Sequence, residues 1–244
     1  MSQWFTIARV LPRTLGLNGS AANAEIVAAS LRALGHDVSV VDVNSPADVV
    51  TAVDLVCIGS GSGSSFRPAA TELIGLLRPL TQWHASGAWF FAVGQGWDLL
   101  GQHAVVSGSE TIPGAGLLPS WADLRGDRFA GEVMGVDYRG RSCAGYVNQV
   151  GRSILEDGIE PLATISASAG EFPATDGLVT ERAMATRFGG PALALNPQWC
   201  ADIVSGLVAS RGLAYESTDF HGRVEAAATQ ARAKIQERLA PSPR

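Results

Sequence analysis

Ala88-Trp-Phe-Phe-Ala-Val-Gly-Gln-Gly-Trp-Asp-Leu-Leu-Gly101 decides the fold. Six apolar residues break at Gly94-Gln-Gly96, and a helical pattern carrying Trp97, Leu99 and Leu100 starts at once. Strand, tight turn and helix make the shape of a nucleophile elbow, whose apex projects above the sheet edge and whose next backbone N–H can stabilise an oxyanion. The apex here is Gly94, which has no nucleophile to offer. Upstream the same unit repeats. Trp4 to Leu11 reads as a buried strand, and Leu15-Gly-Leu-Asn-Gly-Ser-Ala-Ala-Asn23 as a loop offering Ser20 and Asn23 as helix caps. A helix with Val27, Leu31 and Leu34 on one face ends at Gly35, and Val38-Ser-Val-Val-Asp-Val43 is the next strand. Asp54 to Gly59 is another strand, running into Ser60-Gly-Ser-Gly-Ser-Ser65 and a helical stretch over 68–80. Strands alternating with helices at this spacing predict a mostly parallel central sheet flanked by helices.

Beyond Ile112-Pro-Gly-Ala-Gly116 the runs shorten and alternate: Glu132 to Tyr138, Ser142 to Val147, Pro161 to Ile165 and Leu178 to Phe188. These predict an antiparallel extension, with turns at Tyr138-Arg-Gly140 and Ala174-Thr-Asp-Gly177. Helices over 197–210 and 222–239 follow, and the chain closes on Pro241-Ser-Pro243.

With 244 residues and 46% hydrophobic side chains the chain can bury a large core, so disorder is excluded as its main state. Eighteen basic against 23 acidic residues give a net charge of -5, and no basic cluster offers nucleic acid a footprint. No apolar run reaches the roughly 18 residues of a membrane span, and no signal peptide opens the chain, so a cytoplasmic location is expected. Cys57, Cys143 and Cys200 are an odd count at unrelated spacings, which predicts neither a disulfide framework nor a metal site. Cys57 and Cys200 read as packing, and Cys143 as the first suspect for a reactive thiol. His36, His84, His103 and His221 read as surface residues of loops and helix ends. Trp83, Trp89, Trp97, Trp121 and Trp199 read as core, with Trp97 placed where a subunit or ligand would meet the elbow. The glycine loop over 59–63 lacks the spacing of a phosphate-binding loop.

Over residues 5 to 210 the chain resembles the class I glutamine amidotransferases, in the branch of cobyric acid synthase and the amidotransferase subunit of lipid II isoglutaminyl synthase. Leu17-Asn-Gly-Ser-Ala-Ala-Asn23 is similar to that branch's Tyr-Gly-Asp-x-x-Asn. Ile58-Gly-Ser-Gly-Ser-Gly63 is similar to its Gly-Gly-Gly loop, which helps form the oxyanion hole. Ala92-Val-Gly-Gln-Gly-Trp-Asp-Leu-Leu-Gly101 resembles its elbow, Gly-Val-Cys-Gly-Gly-Tyr-Gln-Leu-Leu-Gly. Ile112 to Leu118 and the Arg-Gly-Asp-Arg-x-x-Gly-Glu-Val run at 125–133 follow in the family's order. Gly145-Tyr-Val-Asn-Gln-Val-Gly-Arg-Ser153 is similar to Gly-Phe-Glu-Asn-His-Gly-Gly-Arg-Thr. Ala185-Thr-Arg-Phe-Gly-Gly-Pro191, with Asn196-Pro197 behind it, is similar to Gly-Thr-Tyr-Leu-His-Gly-Pro and Asn-Pro.

The resemblance implies a flavodoxin-like fold over residues 1–212, followed by a C-terminal helix and tail over 213–244. It puts the family's catalytic cysteine on Gly94 and its catalytic histidine on Gly189. Attack on a glutamine amide needs a thiolate and an imidazole acting together, so glutaminase activity is expected to be absent. A pocket is expected from Gly59, Gly61, Gly94, Gln95, Asn148, Gln149, Arg152 and Gly189, with no cofactor. The implied role is a non-hydrolytic subunit of a Mur-ligase-like, ATP-dependent amide-forming enzyme. The other readings are an enzyme with a relocated nucleophile and a module binding a small amide or carboxylate in the vacated pocket.

Overall fold

The computed structural model describes residues 2–240; the Pro241-Ser-Pro243 end lies outside them. The chain opens with β1 (Trp4–Val10), a one-turn helix α1 (Pro12–Leu15), α2 (Ala22–Ala33), β2 (Asp37–Val43) and β3 (Leu55–Ile58). Next come α3 (Phe66–Ile74), α4 (Leu77–Ala85), β4 (Trp89–Val93) and α5 (Gln95–Leu100). A run of strands follows: β5 (His103–Ser107), β6 (Glu110–Pro113), β7 (Ser120–Asp137), β8 (Ser142–Leu155), β9 (Ala163–Ser168) and β10 (Thr175–Asp176). β11 (Leu178–Val179), β12 (Ala183–Thr186), α6 (Ala192–Leu195), α7 (Pro197–Ala209) and α8 (Asp219–Leu239) complete the described chain.

The central sheet has the order β11-β12-β4-β3-β1-β2, and only β11 runs antiparallel. β3 and β4 at its centre are apolar throughout because both faces are covered. The period of two sorts them cleanly. Ala8, Val10, Val56, Ile58, Phe90 and Ala92 join Leu80, Trp83 and Trp97 on one face, while Phe5, Ile7, Leu55, Cys57, Phe91 and Val93 meet Val27, Leu31, Trp199 and Ile203 on the other. The second sheet has the order β10-β9-β7-β5-β6, with β8 also paired to β7. It is antiparallel except where β5 meets β7, and it is the predicted extension. The β7/β8 register shifts between Asp123 and Arg128, so residues 124–127 bulge out of the ladder.

Several sequence expectations are corrected. The run Leu178 to Phe188 is not one antiparallel strand but the β11–β12 hairpin, closed by Thr180 N–H on the Ala183 carbonyl at 2.9 Å. β12, buried on both sides, inserts parallel beside β4 and so belongs to the central sheet. The stretch over 68–80 divides into α3 and α4, which break at Gly75-Leu76. Ser20 and Asn23 do not cap α2, whose N-cap is Ala21. Asn23 donates to the Ser20 and Gly190 carbonyls and accepts from Leu193 N–H, tying α2 to the segment after β12. His103 lies in β5 and stacks on Trp121 at 5.4 Å. His221 is no free surface residue either. Its Nδ1 accepts the Thr218 N–H at 3.0 Å, which leaves the proton on Nε2 to face Ser30 Oγ at 2.6 Å. That contact, with Arg232 on the Leu195 carbonyl and Arg238 on Glu132, lays α8 against α2, α6 and β7. Trp83, Trp97 and Trp199 are buried and Trp89 and Trp121 half-buried; the exposed tryptophan is Trp4.

Candidate functional site

The carboxyl ends of β1, β3, β4 and β12 lie on one side of the sheet, where sites of open parallel sheets form. Gly94, between β4 and α5, has φ 55 and ψ -116, a conformation strained for any residue with a side chain. Its N–H donates to the Thr186 carbonyl at 2.9 Å, fixing the elbow to β12. Gly96 N–H donates to the Gly59 carbonyl at 2.9 Å, and a Cβ at Gly96 would stand 2.6 Å from that oxygen. Two glycines are thus required for α5 to leave the sheet at this angle.

The elbow is filled from within. A Cβ built on Gly94 would overlap Gln149 Nε2 and lie 2.8 Å from Ser60 Oγ. The glycine loop is likewise self-satisfied, since Gly61 N–H donates to Gln95 Oε1 at 3.1 Å and Gln95 Nε2 donates to the Ser62 carbonyl at 2.8 Å. Ser60 N–H donates to Ser20 Oγ at 3.1 Å. Backbone donors of the kind that serve an oxyanion here hold the chain's own side chains. Above them is a cavity of about 600 Å3, walled by Ser60, Gly61, Gln95, Asn148, Gln149 and Arg128. Arg128 Nε donates to Asn148 Oδ1 at 2.8 Å and pairs with no carboxylate among the described residues.

Beneath the cavity lies a charged network that the motifs did not single out. Arg187, 3% exposed, follows β12 and donates through NH2 to Asp98 Oδ1 at 3.1 Å and Ser153 Oγ at 2.9 Å. Its NH1 donates to Gln149 Oε1 at 2.9 Å, so the side chain that fills the elbow is itself held by a buried cation. Burial pushes the Asp98 carboxyl above its usual range, while Arg187 and Ser153 pull it back. Asp176 accepts from Thr186 Oγ1 at 2.5 Å and from Arg187 N–H at 3.2 Å. Burial nevertheless pushes it up to about 6.

A folded-state value above the unfolded one means that the fold holds a proton the unfolded chain has released. Stability contributed by Asp176 is therefore present below about pH 4 and lost as pH rises toward about 6, by about 3 kcal/mol. Asp176→Asn is expected to flatten that slope, as measured by denaturant unfolding at intervals between pH 4 and 7. An unchanged slope would assign the proton elsewhere.

Of the predicted pocket residues, Gly61, Gln95, Asn148 and Gln149 wall the cavity and Gly94 lies beneath them. Gly59 is packed against Ser20 and the Leu15 carbonyl instead, and Arg152 walls a second, smaller cavity. Gly189 N–H donates to the Tyr146 carbonyl at 2.8 Å, and a Cβ there would stand 3.2 Å from that oxygen. Cys143, the suspect of the relocated-nucleophile reading, finds no support. It is fully buried, and burial pushes its thiol up to about 12, which disfavours the thiolate. Cys200 is pushed to about 12 and Cys57 upward by the same cause.

A parallel sheet of order 2-1-3-4, extended by β12, with a strained elbow at the end of β4 and a glycine loop after β3, is a class I glutamine amidotransferase fold of the flavodoxin-like type. The model of the CobB/CobQ-like glutamine amidotransferase domain matches residues 25–196, and the chain belongs to that family. Among solved structures it is similar to a glutamine amidotransferase at 16% identity, covering 81% of this chain and 98% of that one with a TM-score of 0.50. It is also similar to a glutamine amidotransferase from Thermotoga maritima at 13% identity, covering 98% of this chain and 99% of that one with a TM-score of 0.53. None of the curated proteins matches the chain. Among the described residues no helix is long and apolar enough to cross a membrane.

Proposed function

We propose that this chain is a catalytically degenerate amidotransferase subunit, in which Gly94 and Gly189 stand where the family keeps its cysteine and histidine. One observation carries the reading: the elbow has no nucleophile, and the volume a side chain would need there is taken by Gln149. Purified protein is expected to release glutamate from glutamine at the rate of a buffer blank. Release well above the blank overturns the reading.

By its resemblance to lipid II isoglutaminyl synthase, the chain serves a Mur-ligase-like, ATP-dependent amide-forming enzyme acting on a cell-wall or cofactor precursor. Affinity purification of the full chain from its native cells is expected to bring down such a ligase in near-equal amount. Recovery of the chain alone overturns the subunit role. The cavity of about 600 Å3 favours a second reading, a module that binds a small amide or carboxylate without cleaving it. Glutamine or glutamate at about 100 times its Kd would then stabilise the fold by about 2.7 kcal/mol, a rise in Tm of roughly 5–10 °C. No shift with either dismisses these ligands.

A further inference from the structure

The bulge at 124–127 in β7 opens the second cavity, of about 300 Å3, which shares Gln149 in its wall with the elbow cavity. That volume suits one small molecule. Its floor is apolar: the Phe129 and Phe172 rings lie 4.8 Å apart, with Pro173 beside them. The charges around it divide into matched and unmatched. Asp123 is held through both oxygens by Arg125, at 2.8 and 2.9 Å, and Arg187 is matched by Asp98. Arg152 faces Asp123 across the β7/β8 ladder but makes no hydrogen bond to it, and the exposed Asp127 and Glu171 have no ion-pair or hydrogen-bond partner among the described residues.

Arg187 also walls this cavity, and its Nε is the one buried side-chain polar atom among the described residues without a partner. A buried donor left without a partner is costly, and the rest of the Arg187 guanidinium is satisfied within the chain. One guanidinium with its hydrogen-bond donors free, one orphaned N–H, two unmatched carboxylates and an aromatic floor make a complementary mould for a ligand with one carboxylate and two cations on an apolar stem.

We propose that this cavity binds a basic α-amino acid, its carboxylate between Arg152 and Arg187 and its two ammonium groups facing Asp127 and Glu171. The aliphatic stem lies over Phe129 and Phe172. This site does not depend on the loss of chemistry at position 94.

Calorimetric titration of the full chain with L-lysine tests it. One saturable site is expected, and Arg152→Met, which removes an exposed head group and leaves the fold intact, weakens it at least about tenfold. Glu171→Gln weakens it by about threefold to tenfold. L-norleucine, without the second ammonium, and cadaverine, without the carboxylate, each bind at least about tenfold more weakly than lysine. Absence of saturable binding up to about 10 mM lysine overturns the proposal. So does equal binding by the wild type and a folded Arg152→Met variant, or equal binding of lysine and norleucine.

Discussion

Arg187→Ala lowers the free energy of unfolding by about 3–5 kcal/mol, because it leaves the Asp98 carboxylate buried with only Ser153 as a partner. Loss of the Gln149 contact adds to the effect. The deficit is larger at pH 8 than at pH 5, since an Asp98 that takes a proton no longer needs its cation. Replacing both partners by apolar residues of similar volume, as in the Asp98→Leu/Arg187→Met double variant, recovers most of the loss. A buried ion pair is costly to break on one side and cheap to remove whole. Denaturant unfolding of the wild type, Arg187→Ala and the double variant at two pH values is the measurement. A deficit under about 1 kcal/mol for Arg187→Ala would mean that solvent reaches Asp98.

The second large effect is at the elbow. Gly94→Cys introduces the side chain that the motif resemblance places at the apex and is expected to cost about 2–4 kcal/mol, a fall in Tm of roughly 5–15 °C. Part of the cost is the side chain's strain at φ 55, and part is displacement of Gln149 from its place over the apex and from Arg187. Gly94→Cys/Gln149→Ala relieves the second part, so its Tm lies above that of Gly94→Cys alone. Neither variant hydrolyses glutamine, because Gly189 supplies no imidazole. Glutamate release by Gly94→Cys above the wild-type rate would show the elbow to be intact and merely unarmed.

The fold is legible in the sequence because its parallel core announces itself. Ala88 to Val93 and Asp54 to Gly59 are continuous apolar runs broken by glycine, and a sheet covered on both faces demands that pattern. β12 hides because four residues carry no period, and only its neighbours in space show that it lies beside β4. The candidate site is half legible. Gly61, Gln95 and Gln149 fall together because motif order preserves them, whereas Arg152 is turned to another cavity by the bulge opposite it in β7. Asp98 and Arg187 go unread, since two charges 89 positions apart look independent on paper. A signal was present. Against the resembling motifs, an acid replaces Gln at 98 and a base replaces Tyr at 187, each inside an otherwise apolar segment. Opposite charges entering two buried segments must find one another, because neither is tolerated alone.

The bond from Gly94 N–H to Thr186 O also sets an order of assembly. β1 to β4 come from the first hundred residues and pair among themselves, but β4 lacks its outer neighbour until the chain has grown past Thr186. During synthesis Trp89-Phe-Phe-Ala-Val93 is therefore an open, apolar sheet edge waiting for a distant strand. Until that strand arrives the edge is open to self-association, and the bond that fixes the elbow to β12 has no acceptor.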